Sequence, residues 1–259
     1  MPISASFFLE MKKQKRVFSS LTAYSFPFAE LIDSCGVPLV LVGDSFGMVE
    51  LGETTTLPVT LENIITAGKA VKRACKQAFV AIDMPFLSVG IDVSSDMHAI
   101  KKVLQETEAD GVKIEGSSPA VLATINRASS LGIPVIGHIG LTPQHIKQLG
   151  EYRVVGKSEK EADTLLQQAL LVEKAGVFAV VLELISPPVA ERITKVLSIP
   201  TIGIGSGSNC DGQILVLHDL LGLSPTVPRH AKPYINLRNL VIWAVGQYKD
   251  DVERGKFPL

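Results

Sequence analysis

Four carboxylates stand at equivalent places along this chain. Asp44, Asp83, Glu115 and Glu183 each close a short apolar run: PLVLVGD, AFVAID, GVKIE and FAVVLE. Such runs read as buried strands, and charged groups seldom enter an interior unless they are paired or hold a metal. Four acids at the C-terminal ends of four strands point to one shared site. In a barrel of parallel strands, that end carries the chemistry. Asp44, Asp83 and Glu115 offer the oxygen ligands that a hard divalent cation such as Mg²⁺ prefers. Any one of these acids alone would read as a salt bridge or a helix cap; three at matching positions favour the metal. Ser45 follows Asp44 in VGDSFGM, where Gly43 and Gly47 let backbone approach a ligand closely.

Lys113 lies two residues before Glu115, so strand geometry puts both side chains on one face. A buried lysine needs an anionic partner. It could bind a substrate carboxylate, form a Schiff base or pair with an acid; substrate binding fits best beside a metal. His138, in VIGHIGLTP, closes another apolar run and is a candidate hydrogen-bond donor to substrate. Glu183 ends a wholly apolar strand and is the candidate general base. The segment GIGSGSNCDG at 203–212 is a glycine-rich turn placed before an expected helix. It could bind phosphate or form a backbone wall of the pocket.

The elements that must position these residues alternate. Runs rich in Val, Ile and Leu predict strands near 17–23, 38–43, 78–83, 111–115, 133–137, 177–183, 200–204 and 216–221. Helical patterns fall near 27–35, 60–75, 94–108, 118–131, 158–175, 187–197 and 209–215, with a last helix over 235–254. Ser158 with Glu161 forms a capping box, and Gly176 a C-terminal stop. Continuous apolar strands separated by helices imply a parallel sheet covered on both faces. Eight such units favour an α/β fold of the closed (β/α)8 TIM-barrel kind, a single domain over residues 1–259. Long connections follow Asp44 and His138, and both would hang over the mouth as lids or substrate contacts.

A formal net charge of −1 gives no general attraction to nucleic acid or to an anionic membrane. The basic run KKQKR at 12–16 reads as a solvated N-terminal segment. Three widely spaced cysteines form neither a zinc pattern nor a disulfide framework. Free thiols, the absence of a secretory pattern and the lack of a membrane-length apolar run predict a cytoplasmic protein.

With these residues in place, the chain resembles the ketopantoate (3-methyl-2-oxobutanoate) hydroxymethyltransferase family. The matching segments run in order: LTAY, LVGDSFGM, TLPVT, DMPF, VKIEG, GHIGLTPQ, VLELISP, IPTIGIGSG and DGQILVLHD. The resemblance implies a (β/α)8 barrel of the phosphoenolpyruvate mutase/isocitrate lyase-like kind. It implies transfer of a hydroxymethyl group from 5,10-methylenetetrahydrofolate to 3-methyl-2-oxobutanoate, giving 2-dehydropantoate on the route to pantothenate. It implies Mg²⁺ at Asp44, Asp83 and Glu115. Substrate would meet Asp44, Ser45, Asp83, Lys113 and His138, with Glu183 as proton acceptor. A homodecamer is implied as the assembly. The chain departs from the family pattern at Ser25, where an Asp is usual, at Ser206, where GIGAG becomes GIGSG, and at Leu184 and Ile185, which stand for Cys and Val. Two other readings compete: a Mg-dependent 2-oxo-acid lyase or mutase of a related barrel, and a non-catalytic metabolite-binding barrel.

Overall fold

Seven of the eight predicted apolar runs become strands, and with one further strand they are hydrogen-bonded in sequence order into a closed parallel barrel. They are β1 (Phe18–Thr22), β2 (Leu39–Val42), β3 (Phe79–Asp83), β4 (Gly111–Glu115), β5 (Val135–Gly140), β6 (Ala179–Glu183), β7 (Thr201–Ile204) and β8 (Gly212–Leu215). This computed structural model describes residues 2–224 and 226–258. Helix α1 (Ala5–Lys13) precedes the barrel, and α2 (Phe26–Ser34) joins β1 to β2. Then come α3 (Phe46–Val49) and α4 (Leu61–Ala74), α5 (Val93–Thr107), α6 (Pro119–Ser130), α7 (Ile146–Leu149), α8 (Glu159–Ala175) and α9 (Pro187–Val196).

Period-two geometry sorts each strand into an inward and an outward row. The inward rows are Phe79, Ala81 and Asp83 in β3; Gly111, Lys113 and Glu115 in β4; Ile136, His138 and Gly140 in β5; and Ala179, Val181 and Glu183 in β6. Each begins small or apolar at the N-terminal end, and in each a polar or charged side chain stands nearer the C-terminal end. Hydrophobic burial therefore holds one end of the barrel, while the other keeps the groups that do chemistry.

The apolar end is stoppered by α1. Phe8 is fully buried, with ring centroids 5.1 Å from Phe18, 5.8 Å from Phe79 and 6.0 Å from Phe178. Burying such a ring contributes about 2 kcal/mol. The solvated reading of residues 12–16 fails at Lys12. Its ammonium donates to Asp211 Oδ2 at 2.8 Å and to the Thr194 carbonyl at 2.9 Å.

The last barrel unit also differs from expectation. Residues 209–215 were expected as helix and 216–221 as strand; instead Gly212–Leu215 is the strand and Leu217–Leu220 the helix. Apolar richness in VLHDLL outweighed the weak alternation in GQIL. A Cβ at position 212 would lie 2.6 Å from the Phe18 ring, so glycine lets β8 settle against β1. Strand β5 runs to Gly140, which puts His138 within the strand rather than after it. In the helix over 159–175, Ser158 caps the Glu161 amide and Gly176 takes a left-handed φ of 105°. The reciprocal half of the box is absent, because Glu161 turns to the Gly156 and Lys157 amides.

The chain divides into two compact units, one ending at Ile214 and one beginning at Leu215. The second holds α10 (Leu217–Leu220) and α11 (Leu237–Glu253). Helix α11 buries none of its residues and exposes Ile242, Trp243, Val245 and Tyr248. No helix among the described residues is long and apolar enough to cross a membrane.

Asp33, at the end of α2, fixes the approach to β3. Its carboxylate accepts the backbone N–H groups of Lys76 at 2.9 Å, Gln77 at 3.1 Å and Ala78 at 2.7 Å. Burial pushes the carboxyl up, but the amides outweigh it and hold it below the ordinary aspartate value. A depressed carboxyl contributes stability above its unfolded pKa and loses it as pH falls through the folded one. Asp33→Asn should therefore cost about 2 kcal/mol at neutral pH. The gap to wild type should narrow as pH falls below about 4, as read by urea unfolding across pH.

Candidate active site

Strand register decides which charges meet. Asp83 in β3 stands beside Lys113 in β4, and Glu115 in β4 beside His138 in β5. Lys113 Nζ donates to both Asp83 carboxylate oxygens at 2.8 Å. Those side chains are 6% and 1% exposed, so water screens them little. Asp44 leaves the end of β2 buried, and its backbone N–H donates to Asp83 Oδ2 at 3.2 Å. Ser45 shares a 2.7 Å hydrogen bond with the Tyr24 hydroxyl. Gly43 lies beneath, where a Cβ would come 3.1 Å from Ser45 Oγ.

One lysine thus faces several acids. Burial, then the neighbouring Asp83, pushes Asp44 up to about 8, against the pull of Lys113. Burial raises Asp83 as well, although Lys113 opposes it. Lys113 itself would be lowered by burial, but Asp83, Asp44 and Glu115 outweigh that and hold it protonated.

The other side of the mouth centres on His138. Its Nδ1 lies 3.2 Å from Glu115 Oε2, and its Nε2 lies 3.2 Å from Glu183 Oε2. Neither contact has the alignment of a hydrogen bond in this arrangement. Burial and Lys113 lower the imidazole, but Glu115 and Glu183 prevail and raise it to about 9. Burial would raise Glu115, yet His138, His145 and Lys113 bring it down to about 2. The Glu183 side chain is 18% exposed against 1% for Glu115, which makes it the acid a ligand reaches most easily. Gly140 stands in register with Glu183 at a φ of 104°. A Cβ there would collide with the Glu183 carbonyl oxygen, so glycine allows β5 and β6 to approach.

The candidate residues Asp44, Ser45, Asp83, Lys113, Glu115, His138 and Glu183 all lie at the C-terminal side of β2 to β6. Gln144, Tyr24 and His145 went unassigned, though two of them sit in quoted motifs. Gln144 Nε2 donates to Asp44 Oδ2 and to the Met84 carbonyl, both at 3.0 Å, and its backbone N–H donates to Glu115 Oε1 at 3.0 Å. The long connection after β5 is tied to the acids through this one residue. Ser25 begins α2 without a side-chain capping bond, so Tyr24 is the group that reaches the site from the end of β1. The glycine-rich segment runs into β8 rather than a helix, which removes the helix N-terminus a phosphate site would use.

Among the described residues, no group of three or more His, Cys, Asp and Glu side chains is already gathered as a metal cage. Asp44 and Asp83 lie together, while Glu115 turns to His138 and to the loop after β5. The donor chemistry still fits a hard cation. The donors are carboxylate oxygens, and burial followed by the neighbouring Asp83 makes Asp44 hard to ionise unless a cation joins it.

A closed parallel barrel with buried acids and a lysine at its C-terminal mouth is built as barrel enzymes are, with their active site at that face. Solved structures share this fold, among them a member of the phosphoenolpyruvate mutase/isocitrate lyase superfamily. Phosphoenolpyruvate phosphomutase from Streptomyces platensis subsp. rosaceus aligns with a TM-score of 0.64 at 13% identity, over 98% of this chain and 88% of that one. A 2,3-dimethylmalate lyase of that superfamily aligns at 0.59 and 12% identity, over 100% and 90% of the two chains. Likeness at this identity shows the fold alone. Residues 3–259 match the ketopantoate hydroxymethyltransferase family, and the chain belongs to it. The 3-methyl-2-oxobutanoate hydroxymethyltransferase of Rippkaea orientalis (strain PCC 8801 / RF-1) is 47% identical over 258 residues, covering 100% of both chains. That of Trichodesmium erythraeum (strain IMS101) is 46% identical, covering 100% of this chain and 98% of its own. The activity is that of a one-carbon transferase in pantothenate biosynthesis.

Removing Lys113 should leave Asp83 and Asp44 uncompensated in a water-poor place. Lys113→Met is expected to cost about 3 kcal/mol in urea unfolding. Lys113→Met combined with Asp83→Asn should cost less than the single change, because one stranded charge goes too.

Proposed function

We propose that the one-carbon unit of 5,10-methylenetetrahydrofolate is transferred to C3 of 3-methyl-2-oxobutanoate at this mouth, with Glu183 as the base. The observation that carries the assignment is the position of Glu183. It is the accessible acid, across His138 from the buried acids, and it is not tied to a lysine. Lys113 offers its ammonium to the substrate carboxylate, and Ser45 and Asp44 line the same side. Asp44, Asp83 and Glu115 would hold Mg²⁺, which when bound would supply Lewis-acid polarisation of the 2-oxo acid.

The C3–H bond breaks and its proton goes to a Glu183 oxygen, leaving an enolate. Charge grows on that enolate beside the cations of Lys113 and His138, fixed donors that need no reorganisation. C3 then bonds to the folate methylene carbon. Both carbon–nitrogen bonds to the folate break, and C3 and a water oxygen take their places. The proton from C3 and one from water end on the freed nitrogens. A homodecamer is the proposed assembly. Support for association comes from the apolar side chains that α11 leaves exposed.

Glu183→Gln should lower kcat by about 10²–10⁴-fold while leaving substrate binding nearly intact. Near-native turnover would remove Glu183 as the base. Asp83→Ala should weaken Mg²⁺ binding in titration calorimetry, and unchanged affinity would take Asp83 out of the metal set.

A further inference from the structure

The turn that follows Glu183 is held by a hydroxyl. Leu184 adopts a φ of 47°, the left-handed region, which a leucine enters only against steric resistance. Backbone bonds secure most of this turn. The Leu141 amide donates to the Glu183 carbonyl at 2.8 Å, Leu184 N–H to the Ile204 carbonyl at 2.9 Å, and Val155 N–H to the Leu184 carbonyl at 2.8 Å. One amide has no backbone partner here. Ile185, fully buried, donates its N–H to Ser206 Oγ at 2.9 Å, and that hydroxyl donates in turn to the Leu182 carbonyl at 2.7 Å.

Ser206 is 1% exposed and faces backbone, so it neither lines the pocket nor caps a helix. It bridges the residue before Glu183 and the second residue after it, as a trapped water would. Gly205 and Gly207 flank it at φ values of 65° and 83°, and the glycine-rich segment thereby folds the hydroxyl in against β6. Without the hydroxyl, a buried N–H would be left unpaired beside a strained leucine. The cheapest relief is for Leu184 to leave the left-handed region, and that rotation would swing the adjacent Glu183.

We infer that Ser206 is a positioning residue for proton transfer: its hydroxyl pins the turn at Leu184 and so aims the Glu183 carboxylate. The inference rests on Glu183 being the base. It predicts a selective effect on the chemical step, because Ser206 bonds only to backbone at the far side of the turn from Lys113 and Asp83.

The test is exchange of the C3 hydrogen of 3-methyl-2-oxobutanoate in D₂O with Mg²⁺ and without folate, followed by NMR on the full chain, together with kcat and KM. Ser206→Ala should slow exchange and lower kcat about tenfold, short of the roughly 10²-fold that a 1 Å misplacement costs, with KM changed by less than about twofold. Adding Leu184→Asn should restore most of the rate, since asparagine visits the left-handed region readily. Leu184→Val keeps the hydroxyl but makes the turn costlier; it should give the same selective fall, and it serves if Ser206→Ala does not fold. Unchanged exchange in Ser206→Ala, a rise in KM matching the fall in kcat, or no rescue by Leu184→Asn would each overturn the positioning role. Glu183→Gln separates the two ideas. Exchange kept there overturns the base and this inference with it. Exchange lost there but untouched in Ser206→Ala overturns this inference alone.

Discussion

One ammonium group stands among carboxylates in a water-poor barrel mouth, and the rest of the architecture answers to that imbalance. Lys113 can neutralise one acid, and it is committed to Asp83 through both oxygens. Asp44 lies close enough to feel that lysine, but burial and the neighbouring Asp83 outweigh it, so Asp44 resists ionisation. In low dielectric such an arrangement is costly to leave unpaired. An added positive charge would relieve it, which is the use the proposed Mg²⁺ would make of this place.

Two features keep that mouth rigid enough to matter. The first is register. Because Asp83 pairs with Lys113 and Glu115 with His138 as strand neighbours, the charge pattern is set by backbone ladders rather than by flexible loops. The second is the opposite end of the barrel, where Phe8, Phe18, Phe79 and Phe178 pack as one cluster under α1. Burial there stabilises the strands whose other ends carry the charges. Asp83 and Glu183 are tolerated because they occupy the last inward positions of rows that are otherwise apolar, and the row of Glu115 carries its own cation, Lys113.

The strands that carry acids were legible in the sequence because they are buried on both faces and read as unbroken apolar runs. Their inward residues followed from alternation once one acid had been placed. Strand β8 was not legible. It is four residues long with two of them half-exposed, and the more apolar VLHDLL beside it drew the assignment. The stopper helix α1 was hidden because its lysines read as solvated, and only a distant carboxylate, Asp211, gives Lys12 a reason to be ordered. Which acid pairs with which base could not be read at all, since it depends on register between strands about thirty residues apart. Glu183 shows the consequence. An apolar strand suggested an isolated carboxylate, yet register with β5 sets it 3.2 Å from a histidine cation.

That histidine divides the mouth by task. On the side of β2 to β4, burial is nearly complete and the acids are immobilised by Lys113, Gln144 and backbone amides, as suits groups that hold a cation and an anionic substrate in place. On the side of β6, Glu183 keeps partial exposure; the Leu141 amide holds its carbonyl, and the Ser206 hydroxyl ties the flanking Leu182 and Ile185. The proposed base role asks Glu183 to change protonation state in each turnover, which an ion pair as close as that of Asp83 would oppose. His138 lies between them, its imidazole raised by two glutamates at once. In the proposed reaction, Glu183 would weaken its claim on His138 as it took a proton, while that of Glu115 persisted. The imidazolium would then turn its charge toward the enolate, so that proton removal and enolate stabilisation would be coupled through a single side chain.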